Sequence, residues 1–192
     1  MIAIAGSGSK IAEEFMALST EECRGVRLGT MIPGATKYLI CSGLLHGRSI
    51  GQMMPDQIAG TFAVNFADVA TFCDGLFNVE PEARVVVIGS RSGIHGSFDM
   101  AYAGAKASLH LYVSTKKLGP AQQLVCIAPG IIADAGQTVR RHDQERVEER
   151  ARNHPKGRHC TSREVASLAA WLLGDDGEFV SGCTIRMDGG EK

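Results

Sequence analysis

Short apolar runs alternate along the chain with stretches of helical period. Residues 2–5, 26–28, 38–41, 85–88, 123–127 and 184–187 read as strands. Residues 10–18, 56–77, 101–117, 137–153 and 163–173 read as helices. Ile11, Phe15 and Leu18 share one helical face, and Ile58, Phe62, Phe66 and Val69 share another. The run Val85-Val86-Val87-Ile88 is apolar throughout, as a strand buried on both faces requires. Alternation of this kind predicts an α/β fold in three layers, with a mostly parallel sheet of about six strands between helices. Nearly every predicted strand runs into glycine or a small residue: Gly6-Ser7-Gly8-Ser9, Ser42-Gly43, Gly89-Ser90, Pro129-Gly130 and Gly189-Gly190. In an open parallel sheet, ligands bind at those carboxyl ends.

Composition narrows the function classes. At 192 residues, 44% hydrophobic and 21% charged, the chain suits one domain spanning 1–192 with a sizeable core. A net charge of −1 and no basic patch with interleaved aromatics argue against a nucleic-acid partner or a membrane surface. No apolar run is long enough to span a bilayer, and the first residues lack the basic start of a signal peptide. The six cysteines are scattered without ligand spacing, so no metal site is expected and a reducing cytoplasm fits.

The chemistry centres on Tyr102-Ala-Gly-Ala-Lys106. Positions four apart share a helical face, and an ammonium held there favours the phenolate. A phenol tuned in this way gives a proton to a carbonyl oxygen or takes one from an alcohol. Tyr112 and Lys116 repeat the spacing, but context separates the pairs. Ser90 ends a strand 12 residues before Tyr102, and Pro129 follows it by 27, room for a helix, a turn and a strand. Tyr112 falls on the apolar rhythm of Leu109 and Val113 and reads as core. His46, His95 and His110 show no metal or triad spacing and read as loop or surface residues, with His95 a candidate to line the cleft.

Gly89-Ser90, Tyr102-x-x-x-Lys106, Ala128-Pro129-Gly130, Val180-Ser181-Gly182 and Met187-Asp188-Gly189-Gly190 resemble, in order and approximate spacing, the short-chain dehydrogenase/reductase family. The resemblance runs from about residue 37 to the C-terminus. It implies a Rossmann-type fold and a hydride transfer between nicotinamide and a small-molecule carbonyl or secondary alcohol. It implies four catalytic residues: Tyr102 as acid/base, Lys106 lowering its pKa and bonding the nicotinamide ribose, Ser90 holding the substrate oxygen, and Asn65 ordering a water behind Lys106. Pro129, Gly130 and Ile132 would lie beside the nicotinamide, and Ser42 and Gly43 along the cofactor.

The first half departs from that family. Gly6 keeps the first position of the glycine-rich turn, but Lys10 and Ala12 stand at the later two. Gly6, Ser9, Lys10 and Ile11 are expected around the pyrophosphate, where helix N-terminal amides serve. The segment at about 19–37 is short, with room for one strand but not for the helix and strand that wall the adenine. No acid ends the second strand to bind a ribose, whereas Arg27 and Lys10 are cations, which favours NADP(H) over NAD(H). Asp134 stands where a threonine is usual and would repel pyrophosphate unless the loop shifts and Thr138 serves. The mixed charges of 140–150 occupy the place of a substrate lid and read as a solvated helix. Phe62, Phe66, Val69, Phe72, Leu109, Leu111 and Tyr112 offer more apolar surface than one face needs, which predicts a homodimer or homotetramer. The shortened adenine region leaves an alternative: a non-catalytic nucleotide-binding or regulatory protein of this fold.

Overall fold

The computed structural model describes residues 1–191. Six parallel strands form one sheet: β1 Ile2–Ala5, β2 Cys23–Val26, β3 Lys37–Ile40, β4 Arg84–Ile88, β5 Gln123–Pro129 and β6 Cys183–Met187. Their order is β2-β1-β3-β4-β5-β6. The helices are α1 Lys10–Leu18, α2 Pro55–Phe62, α3 Asp68–Val79, α4 Ser92–His95, α5 Met100–Thr115, α6 Gly136–Val139, α7 Gln144–Asn153 and α8 Ser162–Leu173. The three-layer Rossmann-type expectation is met, helices covering both faces.

Period-two alternation builds both cores. Val85 and Val87 of β4 face Tyr38, Phe72, Leu76, Leu109 and Val113, beneath α3 and α5. Val86 and Ile88 face the other way, onto Ile4, Phe15, Leu39, Val165 and Leu172, beneath α1 and α8. Because the inner strands are covered on both sides, they read as unbroken apolar runs.

Several elements differ from the expected bounds, each for a physical reason. β2 begins earlier, pairing Cys23 with Ile2 and Val26 with Ala5. It is an edge strand of sequence CRGV, half-exposed, so no apolar run announces it. Leu28 lies past its end and packs on the core as a loop residue. Residues 27–36 then lead directly to β3 without a helix or strand, as the shortened segment led us to expect. This loop lies over the α3 face: Leu28 and Ile32 pack on that core, and the Ile32 amide donates to the Tyr38 hydroxyl at 3.2 Å. The expected helix 56–77 extends over Pro55–Val79 but changes to a π turn at Ala63–Ala67. The expected helix 137–153 is broken into α6 and α7. At the break Arg141 is held by Asp143 in two bonds of 2.8 and 2.7 Å.

Two glycines explain how the first turn closes. Gly6 has φ +77°, and a Cβ there would stand 2.8 Å from the Ser42 amide nitrogen. A Cβ on Gly25 would meet the Ser7 hydroxyl at 2.7 Å. Thus the turn after β1 sits tightly between the ends of β2 and β3.

Candidate active site at the carboxyl ends of the strands

Asp99 caps α5 by accepting the Tyr102 amide at 3.0 Å, which starts the helix so that Tyr102 lies in its first turn and Lys106 one turn on. The Lys106 side chain is 3% exposed; its Nζ donates to the Ile88 carbonyl at 2.8 Å and stands 5.8 Å from the Tyr102 ring centre. Burial brings the Lys106 ammonium down to about 8. Burial also raises the Tyr102 phenol, while the neighbouring Ser90 hydroxyl acts in the opposite direction and Asp99 adds to the rise. The expected lowering of the Tyr102 pKa by Lys106 is therefore corrected: in this structure desolvation dominates, and the ammonium is directed to the Ile88 carbonyl.

Ser90 follows β4, and its Oγ accepts the Ser92 amide at 3.1 Å. Its own amide points to His110 Nε2 at 3.4 Å. Gly89 and Gly93 make that approach possible. A Cβ on Gly89 would meet His110 Nε2 and Cys126 Sγ, each at 2.4 Å, and one on Gly93 would meet His110 Cε1 at 2.7 Å. His110 is thus not a surface residue but the partly buried support of the Ser90 turn. Burial and the Lys106 charge bring its pKa to about 4, so it is neutral. Sequence reading missed it, although it sits four residues after Lys106 on the same face. His95 ends α4 and is exposed, and His46 lies in the loop after β3.

Asn65 lies fully buried inside the π turn, a geometry frequent at functional sites. Its Nδ2 donates to the Leu44 carbonyl at 2.7 Å and the Thr61 carbonyl at 2.9 Å, and its Oδ1 accepts the Leu44 amide at 3.3 Å. Asn65 therefore pins the segment after β3, which carries Ser42 and Gly43.

The positions expected to face a dinucleotide lie at the same edge of the sheet. Ser9 caps α1, its Oγ accepting the Ala12 amide at 3.2 Å. The Lys10 and Ile11 amides have no partner among the described residues. Lys10 itself is turned along α1, 3.1 Å from Glu13 and 3.7 Å from Glu14. Arg27 is exposed just past β2. Asp134 accepts the Ser162 amide at 2.8 Å, so its carboxylate serves the N-terminus of α8. Pro129 ends β5, Gly130 donates to the Met187 carbonyl at 3.1 Å, and Ile132 bridges to Cys160. A cleft of about 290 Å³ lies between Gly130, Ile131, His154, Lys156, Arg158 and Met187–Gly189. Neither Ser90, Tyr102 nor Lys106 lines it. Of the apolar surface expected for assembly, Val69, Phe72 and Leu109 are buried in the core, leaving Phe62 and Leu111 exposed. Tyr112 borders the core and donates its hydroxyl to Asp74 at 2.7 Å. No helix among the described residues is long and apolar enough to cross a membrane.

A doubly wound parallel sheet with a glycine turn, a serine after β4 and a Tyr-x-x-x-Lys helix is a Rossmann-type α/β arrangement. The family model described as enoyl-(acyl carrier protein) reductase matches residues 40–192, and the chain belongs to the short-chain dehydrogenase/reductase family. It is 28% identical over 148 residues to the inactive 2-(S)-hydroxypropyl-CoM dehydrogenase 2 of Xanthobacter autotrophicus, covering 73% of this chain and 62% of that protein. It is 32% identical over 118 residues to the rhamnolipids biosynthesis 3-oxoacyl-[acyl-carrier-protein] reductase of Pseudomonas aeruginosa, covering 59% of this chain and 46% of that one. The chain spans less than two thirds of the length of these curated relatives. A solved 3-oxoacyl (acyl-carrier-protein) reductase from Agrobacterium tumefaciens with NADP bound superposes with a TM-score of 0.83. That alignment has 20% identity over 99% of this chain and 93% of the other, a likeness that shows the fold.

Proposed function

We propose that the chain is a nicotinamide-dependent oxidoreductase acting on carbonyl and secondary-alcohol groups, with Tyr102 as its acid/base. The observation that carries this reading is the convergence of the Ser90 hydroxyl and Lys106 on Tyr102 at the carboxyl end of β4.

The residues at the first turn fit a dinucleotide in part. Two unpartnered amides at the N-terminus of α1 and the close approach of Gly6 to Ser42 suit a pyrophosphate. Glu13 and Glu14 beside Lys10 oppose it, and the 27–36 loop supplies no helix to wall an adenine. Ser42, Gly43, Pro129, Gly130 and Ile132 would flank the cofactor. Arg27 would meet a 2′-phosphate, the basis for NADP(H) over NAD(H). When bound, the dinucleotide would supply the hydride or accept it.

The chain's own groups handle the proton. Ser90 Oγ donates a hydrogen bond to the carbonyl oxygen, stabilising the charge that develops there. The Tyr102 phenol, held protonated by burial, gives its proton to that oxygen as the carbon is reduced; in the reverse direction the phenolate takes it back. Lys106, held by the Ile88 carbonyl 5.8 Å from the ring centre, would bond the nicotinamide ribose hydroxyls. Asn65 keeps the wall after β3 in place through Leu44.

Acetoacetyl-CoA with NADPH is the first assay, since relatives include an acetoacetyl-CoA reductase of Acinetobacter. Loss of turnover in Tyr102→Phe supports the reading; undiminished turnover in that variant ends it. A second reading, a nucleotide-binding protein without turnover, draws on the paired Lys10 and the missing adenine wall. Calorimetry with NADPH and NADH separates them: tight binding without turnover favours the second. Assembly as a homodimer or tetramer through the faces bearing Phe62 and Leu111 belongs to the same proposal, and light scattering at micromolar concentration tests it.

A further inference from the structure

Asp99 is 1% exposed, and both of its carboxylate oxygens are used. Oδ1 accepts the Tyr102 amide at 3.0 Å, and Oδ2 accepts the Gly47 amide at 2.9 Å, from 52 positions away in the segment after β3. Among the described residues Asp99 enters no ion pair. A serine or threonine is enough to cap a helix, and burying an unpaired carboxylate is costly unless backbone donors hold it. The second arm is what a neutral cap would lack. Between the Cys41 amide, held by Ala5, and the Ser49 turn, residues 42–48 are fastened by Asn65 at Leu44 and by Asp99 at Gly47, and of these two only Asp99 reaches the first turn of α5.

We propose that Asp99 is a positioning residue for Tyr102: its carboxylate locks the first turn of α5 to the Gly47 segment and so fixes where the phenol stands against Ser90. The inference rests on the reading of Tyr102 as the acid/base. Its charge has a second effect. The groups acting on the phenol are Ser90 from the turn after β4, Asp99, and Cys126 from β5, while Lys106 of α5 faces the ring at 5.8 Å. Of these Asp99 and Cys126 oppose ionisation, Asp99 the more, beneath the larger effect of burial. An acid so placed keeps the proton on Tyr102 available for donation.

The test compares wild type, Asp99→Asn, Asp99→Ser and Tyr102→Phe. Asparagine keeps one acceptor for the Tyr102 amide but removes the charge; serine keeps a cap yet is too short to reach Gly47. Protein carrying 13Cζ-labelled tyrosine is titrated by NMR, the Tyr102 signal being the one absent in Tyr102→Phe. In Asp99→Asn its midpoint is expected to fall, as for a like charge removed at close range. Amide exchange of residues 44–49 should accelerate in both Asp99 variants. With acetoacetyl-CoA and NADPH, kcat should fall about tenfold while the KM for NADPH changes little, as misplacement of the acid predicts. Wild-type midpoint, exchange and kcat in both variants would overturn the inference even where Tyr102→Phe is inactive. If wild type itself shows no turnover, but the midpoint and exchange shift as stated, the positioning holds and the catalytic reading fails.

Discussion

Substituting Gly89 by alanine adds one methyl group at the point where the Ser90 turn meets α5 and β5. That methyl would stand 2.4 Å from both His110 Nε2 and Cys126 Sγ, with His110 Cδ2 at 3.1 Å. Neither neighbour has an easy retreat. Cys126 is fully buried in β5, and the His110 ring is confined on its other side by Gly93, where a Cβ would lie 2.7 Å from Cε1. Overpacking of this kind costs about 1–3 kcal/mol. The strain falls on the turn that aims Ser90, because its amide rests against His110 at 3.4 Å. Gly89→Ala should therefore lower the urea midpoint and, on any carbonyl substrate found, reduce kcat by roughly tenfold to a hundredfold through displacement of the serine hydroxyl. The double variant Gly89→Ala/His110→Ala relieves the contact with His110 while leaving that with Cys126, so its loss of stability should be smaller than the sum of the two single losses. A denaturation series over the four proteins measures that coupling. An unchanged midpoint in Gly89→Ala, or strictly additive losses in the double variant, would refute the close packing of His110 beneath the Ser90 turn.

Three further outcomes are expected. Arg84, buried at the start of β4, donates to Gln123 Oε1 at 2.9 Å and to the carbonyls of Leu172 and Gly174 at 3.0 and 2.7 Å; Arg84→Met should cost about 3 kcal/mol in urea unfolding by leaving these acceptors short of donors. Lys106 falls from 10.5 to about 8 in the folded chain, so between those values the unfolded chain binds more protons and stability rises with pH; Tyr102, raised above 10, reverses the trend only beyond that point. From pH 8 to 10, wild type should thus gain stability relative to Lys106→Met, by no more than about 3 kcal/mol, and parallel curves would count against a buried ammonium. Arg27→Ala should weaken NADPH about tenfold, equivalent to roughly 1.4 kcal/mol, and leave NADH unchanged; calorimetry showing equal loss of both, or of neither, removes the 2′-phosphate role.

The inner sheet was legible because β3, β4 and β5 are buried on both faces, so their own residues announce them. β2 was misplaced because an edge strand needs no apolar run: Arg24 and Gly25 are exposed, and its register is set by β1. The helices α1 and α8 were found almost to the residue, since each buries one apolar face at helical spacing; the structure adds the caps that fix their starts, Ser9 for one and Thr161 with Glu164 for the other. The π turn around Asn65 left the apolar period undisturbed and gave no sign. At the site, Ser90, Tyr102 and Lys106 could be picked out because their types and spacing carry the chemistry. His110, Asp99 and the close approach at Gly89 could not, for their importance lies in contacts across elements: Asp99 reaches Gly47, 52 positions away, and His110 reaches the turn after β4. The direction of the Tyr102 shift was also hidden, because burial outweighs neighbouring charge there and burial is a property of the folded chain.

Central to the account is the proton held by Tyr102 between Ser90 and Lys106. The most direct measurement is single-turnover oxidation of NADPH, followed at 340 nm, by wild type and Tyr102→Phe with acetoacetyl-CoA, after calorimetry has established that both bind NADPH equally. The account predicts a fall of at least about a hundredfold in the rate of that single turnover, the size of a lost general acid. Equal rates in the two proteins, with NADPH bound equally, would contradict it.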